Sequence, residues 1–71
     1  MDHYFENGVL TIYINGRVDS NNAPVLEREI MDVTAEHPGA DLVLDGEKLE
    51  YISSAGLRVL MKLSKALWVC L

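Results

Sequence analysis

The apolar run Leu42-Val43-Leu44 constrains the fold of this chain more than any other feature. It is unbroken and is bounded by Asp41 and Asp45, a composition typical of a strand that is covered on both faces. A predicted strand and a predicted helix precede it, so the three elements form a βαβ unit, whose crossover is right-handed in nearly all known cases. We therefore predict an α/β fold in which residues 42–44 form a central strand, parallel to an earlier one.

The N-terminal segment predicts a β-hairpin. Two β-prone runs, residues 3–6 and 9–14, flank Asn7-Gly8, and Asn-Gly between such runs is the strongest short hairpin signal, typical of a type I′ turn. Gly16 is expected to break the second strand. The predicted sheet is therefore small and mixed, with an antiparallel hairpin and a parallel pair.

Two helices are predicted to pack on this sheet. The first begins at Ala23-Pro24, because capping side chains precede a proline there, and it ends near Ala35. The second is predicted from about Ala55 to about Leu67, after a serine cap. Its apolar side chains form two stripes, which together are wider than one sheet covers.

Length and composition limit the function classes. With 71 residues, the chain has room for one domain at most, near the lower limit for burying a core alone. Cys70 is the only cysteine, which excludes an intrachain disulfide and favours a reducing compartment, so we expect a cytoplasmic protein. No signal peptide is recognisable, and no apolar stretch approaches the ~18 residues needed to cross a bilayer. The formal charge of −5 disfavours nucleic acid and anionic membranes as partners.

The stretch from Leu42 to Leu60 is the most informative for function. It contains a buried strand ending in Asp45, a short loop, and Ser54-Ala55-Gly56-Leu57 at the start of the second helix. In this order and spacing it resembles the STAS domain of anti-sigma factor antagonists. The earlier Gly16-Arg17-Val18-Asp19 looks like the Gly-x-x-Asp stretch of the same family.

The resemblance implies a phosphorylation switch. In the family, a partner kinase that is also an anti-sigma factor phosphorylates a serine at the start of the second helix, and alignment on Gly56 puts that serine at Ser54. Well-studied members have Asp before this serine and Ser after it, where this chain has Ser53 and Ala55, so Ser53 is an alternative acceptor. The partner-binding residues implied are Asp19, Ser20, Ser53, Ser54, Gly56 and Arg58.

The same residues have a purely structural interpretation. Serines at a helix start are usually caps, and Asp19 and Ser20 precede the first helix as capping residues do. A cap and a switch are compatible for Ser54, because unpaired N–H groups and the positive helix dipole at this end could hold a phosphate. For Asp19, the two roles differ in whether partner binding or stability suffers more on substitution.

Enzymatic and metal-binding functions lack support in the sequence. The serines do not form a Gly-x-Ser-x-Gly elbow, and neither a phosphate-binding loop nor a dinucleotide fingerprint is present, so we expect no catalytic residues and no cofactor. His3 and His37 lie in no metal-ligand spacing and are interpreted as surface side chains. Cys70 is interpreted as a small buried hydrophobe.

Residues 1–71 are predicted to form a single truncated STAS-like domain, because STAS domains normally continue with a further strand and one or two helices. The open sheet edge and the apolar segment Trp68-Val69-Cys70-Leu71 then favour a homo-oligomer. The alternative function is an oligomeric interaction fragment without switch activity. A third type, the STAS module of an anion transporter, fits the Ser-x-Gly-Leu helix start less well.

Overall fold

The computed structural model describes residues 1–63 and, for residues 66–69, the backbone. Its elements along the chain are β1 (His3–Glu6), β2 (Val9–Tyr13), β3 (Gly16–Val18), α1 (Ala23–Ala35), β4 (Asp41–Gly46), β5 (Leu49–Ile52), α2 (Ser54–Leu63) and β6 (Ala66–Val69). They form a four-stranded sheet in the order β1-β2-β4-β6 and a separate pair, β3-β5. The predicted mixed α/β class is confirmed.

The N-terminal hairpin is present with its two-residue turn. β1 and β2 pair antiparallel, from His3 opposite Ile12 to Glu6 opposite Val9. Both turn residues have positive φ, 52° at Asn7 and 79° at Gly8, as a type I′ turn requires. Asparagine and glycine tolerate this left-handed backbone better than other residues do, so the local sequence determines the turn.

The strand-helix-strand arrangement is also confirmed. β2 pairs in parallel with β4, with Leu10 opposite Leu42 and Ile12 opposite Leu44, and α1 lies between the two strands in the sequence. The helix has the predicted bounds, with proline in its first turn. Its buried residues, at helical spacing, are Ala23, Leu26, Ile30 and Val33.

β4 is central but is fully covered on one face only. Leu42 and Leu44 are buried in the core, with Leu44 fully excluded from solvent, whereas Val43 on the opposite face is half-buried. Core side chains from α1 and α2 lie in the same buried cluster as Leu42 and Leu44. The prediction of coverage on both faces is therefore wrong for the outer face, where no described helix packs.

The pair β3-β5 is absent from the sequence-based prediction. Gly16 does not simply end a strand: with φ of 80° it redirects the chain after β2 and opens β3. The two strands are parallel, with Gly16 opposite Leu49 and Arg17 opposite Tyr51, so Glu50 is an extra residue on β5. Such a bulge re-aims the strand, and this one lies three residues before Ser53.

The second helix is shorter than predicted. α2 ends at Leu63 instead of Leu67, and residues 66–69 form β6, which pairs in parallel with β4. Because β6 satisfies the backbone groups along the edge of β4, tertiary pairing overrides helical spacing here. The sheet edge on this side is therefore β6. Of the segment predicted to mediate self-association, Cys70 and Leu71 lie outside the described residues.

Candidate switch site

Two loops that are distant in sequence meet at one edge of the β3-β5 pair. Because these strands are parallel, their carboxyl ends point the same way, and Val18 is opposite Ile52. The Ser53 N–H donates a hydrogen bond of 2.8 Å to the carbonyl oxygen of Val18. Asp19-Ser20 and Ser53-Ser54 therefore lie next to each other, which brings together the two motifs that carry the family resemblance.

The two serines are in different environments. Ser53 caps α2: its half-buried Oγ accepts a hydrogen bond from the Gly56 N–H at 3.2 Å, and its carbonyl oxygen accepts one from Leu57 at 2.9 Å. Ser54, the first residue of α2, is exposed, and its hydroxyl has no hydrogen bond within the described part of the chain. The hydroxyl that is free to react is that of Ser54.

Gly56 has a steric reason to be glycine. A Cβ atom built at this position would lie 2.5 Å from Cγ1 of Val18 and 3.0 Å from Cγ1 of Ile52. The first turn of α2 therefore packs directly on the ends of β3 and β5, and this contact holds the start of α2 next to the end of β3, which Asp19 follows. Gly56 itself is buried, so it permits the packing beneath this surface but is not exposed on it.

Asp19 organises the turn before α1. Its Oδ1 accepts hydrogen bonds from the backbone N–H groups of Asn21, at 2.8 Å, and Asn22, at 2.9 Å. In turn, Oδ1 of Asn22 accepts a hydrogen bond of 2.8 Å from the Asp19 N–H. Nδ2 of Asn22 donates one of 3.0 Å to the carbonyl oxygen of Arg17. Asp19 therefore stabilises the turn that leads into α1 but is not the helix cap, since Asn22 is the N-cap residue and no side chain of the described residues caps the helix; the exposed carboxylate remains accessible. Ser20 is exposed and lies on the same turn.

The exposed face of α2 extends the site as a shallow, open surface, named the α2 groove. Two apolar side chains, Leu57 and Met61, are 38% and 64% exposed there. The groove is lined by Ser54, Leu57, Arg58, Met61 and Lys62. The Lys62 ammonium lies 3.4 Å from a carboxylate oxygen of Glu27 on α1, whereas the Arg58 guanidinium has no ion pair or hydrogen bond within residues 1–63. Exposed apolar side chains next to basic groups are suited to contact with another protein.

An aromatic contact beside the site has no counterpart among the sequence-based predictions. The guanidinium carbon of Arg17 lies 4.6 Å from the centroid of the Tyr51 ring, a cation–π geometry. Both side chains are exposed and immediately precede the two loops. No local pattern could reveal this pair, because it forms only through the parallel pairing of β3 and β5.

The histidines are closer in space than their sequence separation suggests. The His3 and His37 rings are 6.2 Å apart, and Phe5 stacks on His37 at 4.4 Å. Within the described residues, no group of three or more His, Cys, Asp or Glu side chains is arranged to hold a metal ion. The same residues contain no helix long and apolar enough to cross a membrane.

This arrangement defines a class: a small α/β interaction domain whose accessible serine opens a helix beside an acidic turn. The family model for the STAS domain matches residues 1–68. The chain belongs to the STAS domain family.

Curated relatives carry related names. The anti-sigma-F factor antagonist RsfB from two strains of Mycobacterium tuberculosis is 39% identical over 59 residues, which cover 83% of this chain and 48% of RsfB. BtrV of Bordetella bronchiseptica, a protein named as an anti-sigma factor antagonist, is 41% identical over 61 residues, or 86% of this chain and 52% of BtrV. The chain thus spans about half the length of the curated relatives it matches.

Proposed function

We propose that this chain is an anti-sigma factor antagonist module that binds an anti-sigma factor serine kinase while Ser54 is unmodified. Phosphorylation of Ser54 ends that binding, and the switch thereby regulates sigma-factor-dependent transcription. The observation that carries the proposal is the free, exposed hydroxyl of Ser54 beside Asp19 and the α2 groove. The names of the relatives support the same role.

The covalent step requires only a nucleophile from this chain. The Ser54 Oγ attacks the γ-phosphorus of ATP held by the kinase, an O–P bond forms, and the bond to the β-phosphate oxygen breaks to release ADP. The hydroxyl proton passes to a base on the kinase. The kinase thus supplies the ATP and the base, and this chain supplies only the hydroxyl, a role that needs no catalytic motif in its sequence.

The phosphate would change the surface by charge and solvation. It adds about −1.5 to −2 charges at neutral pH, next to the acidic turn of Asp19 and the apolar side chains of the groove. Docking a partner here then requires dehydrating a phosphate as well as apolar side chains. Because dehydrating a phosphate that keeps a net negative charge is costly, the modification opposes docking.

Intact-mass measurement after incubation with ATP and a candidate anti-sigma kinase from the same genome tests the proposal. The wild-type chain and Ser53→Ala should each gain one phosphate, and Ser54→Ala should gain none. Ser53→Ala is the matched control, because it removes a neighbouring hydroxyl and the cap but leaves the acceptor. Retention of the phosphate by Ser54→Ala and its loss from Ser53→Ala would transfer the acceptor role to Ser53.

A second candidate function is an oligomeric interaction fragment without switch activity. β6 is an outer strand, and no strand of the described residues pairs with its far edge, which can template association with another chain. Light scattering on the same samples separates the two functions. A stable oligomer that takes up no phosphate favours the fragment, whereas a monomer or loose dimer that accepts phosphate favours the switch.

A further inference from the structure

We infer that Arg58 is the intramolecular partner of the phosphate on Ser54, so that modification withdraws this cation from the α2 groove. The inference rests on the proposed function for the modification itself. It adds the mechanism by which one phosphate would change the docking surface.

The spacing of the two residues places them together. Ser54 and Arg58 occupy positions i and i+4 of α2, and side chains at this spacing lie on the same helix face with Cβ atoms about 5–6 Å apart. Both are exposed and both line the groove. An anionic residue N-terminal to a cationic one at i, i+4 is also the more favourable order of charges along a helix.

Arg58 is the cation on this face that is free to respond. Lys62 is already 3.4 Å from Glu27 and stands a further turn along α2, about 12 Å from Ser54 at ~1.5 Å per residue. The guanidinium of Arg58 has no ion pair, hydrogen bond or ring contact within the described residues. Its planar guanidinium can bind two phosphate oxygens at once, which a lysine ammonium cannot do.

The pairing of Arg58 with the phosphate changes the charge that the α2 groove presents to a partner from positive to negative. Before modification, the exposed apolar side chains of Leu57 and Met61 lie along one side of Ser54 on this helix face and the unpaired guanidinium of Arg58 lies on the other, a surface that fits apolar side chains and carboxylates on a partner. After modification, the phosphate satisfies Arg58 and its remaining charge opposes the same carboxylates. The structure thereby assigns an acidic and apolar docking surface to the partner.

The test uses a chain with phosphoserine incorporated at position 54 during synthesis, so that no kinase is needed. Phosphorus NMR then follows the second ionisation of the phosphate, whose ordinary pKa is about 6. A nearby guanidinium favours the dianion and lowers this pKa, and the helix dipole lowers it in every variant alike. We expect the pKa to be about 0.15 to 0.4 unit lower in the wild type than in Arg58→Gln.

The matched controls remove a charge elsewhere. Lys62→Gln lies in the same groove one turn further on, and Arg28→Gln lies on α1. Each should change the phosphate pKa, relative to the wild type, by only a small fraction of the change expected for Arg58→Gln. Arg58→Lys should restore part of the shift, because it keeps the charge but loses the two-point geometry. Equal phosphate pKa values in the wild type and Arg58→Gln would overturn the inference.

The outcome is independent of whether a kinase modifies the chain. Failure of the kinase to modify Ser54 would refute the proposed function and leave the NMR result intact. Phosphate transfer to Ser54 with no Arg58-dependent pKa shift would preserve the function and refute the pairing.

Discussion

At the scale of single residues, the two neighbouring serines differ: one is the helix cap and the other is the candidate phosphate acceptor. The sequence alone does not distinguish these roles. Ser53 uses its hydroxyl to cap α2, and the hydroxyl of Ser54 has no hydrogen bond within the described chain. A capped helix start holds the backbone around Ser54 in place while its side chain stays free. This arrangement is suited to an acceptor that a kinase must reach without unfolding the helix.

Asp19 offers a residue-scale test of whether its carboxylate stabilises the turn before α1 or contacts a partner. Asp19→Ala removes an acceptor from two backbone N–H groups and should lower the free energy of unfolding by about 1 to 2 kcal/mol. Asp19→Asn keeps an oxygen acceptor and removes only the charge, so its stability should change by less than about 0.5 kcal/mol. Urea denaturation measures both variants.

Kinase binding of the same variants then isolates the carboxylate. If Asp19 contacts the partner, Asp19→Asn should bind more weakly although its stability is retained. Unchanged binding by Asp19→Asn, together with parallel losses of binding and stability in Asp19→Ala, would restrict Asp19 to its structural role.

At the scale of elements, the contact of α2 with β3 and β5 positions the site. Helix propensity alone makes Gly56 an unfavourable choice, since glycine in a helix costs about 0.5 to 1 kcal/mol relative to alanine. The close approach of Val18 and Ile52 reverses that preference. A residue that weakens the isolated helix therefore permits the packing that brings the two loops together.

Gly56→Ala is expected to lower the free energy of unfolding by about 1 to 3 kcal/mol, because the methyl group overpacks a contact with buried Val18. The matched control is Ser54→Ala, in the same first turn, where the side chain is exposed and the change should stay within about 0.5 kcal/mol. Urea denaturation of both variants checks this. A more stable Gly56→Ala would show that helix propensity outweighs the packing.

At the scale of the whole molecule, one covered sheet face supplies the core. Leu10, Ile12 and Leu44 point to that face and are almost completely buried, whereas Thr11 and Val43 on the outer face are half-buried. Short chains bury a small share of their surface, so the loss of one core side chain removes a large fraction of the total stability.

Leu44→Ala should therefore cost about 2 to 5 kcal/mol and leave much of the chain unfolded at ambient temperature. Val43→Ala, one residue earlier in β4 and on the other face, is the control and should cost clearly less. Far-ultraviolet circular dichroism with urea titration measures both variants. Equal losses would indicate that the outer face is covered in solution, for example by a second copy of the chain.

The sequence alone determined the local features of this protein. Asn7-Gly8 determines the hairpin turn, Pro24 and the stripe from Leu26 to Val33 determine α1, and the Ser-x-Gly-Leu start of α2 indicates the family, because each depends on residues close together in the chain. These features were sufficient to select Ser54 as the candidate acceptor.

Tertiary structure decided the rest, because long-range pairing has no local signature. Only the parallel pairing of β3 with β5 places Asp19 beside Ser53 and Arg17 over Tyr51. The open edge of β4 likewise takes residues 66–69 into β6, although the predicted helix extends to about Leu67. Backbone groups at a sheet edge gain hydrogen bonds from whichever segment reaches them, and this gain outweighs weak helix propensity.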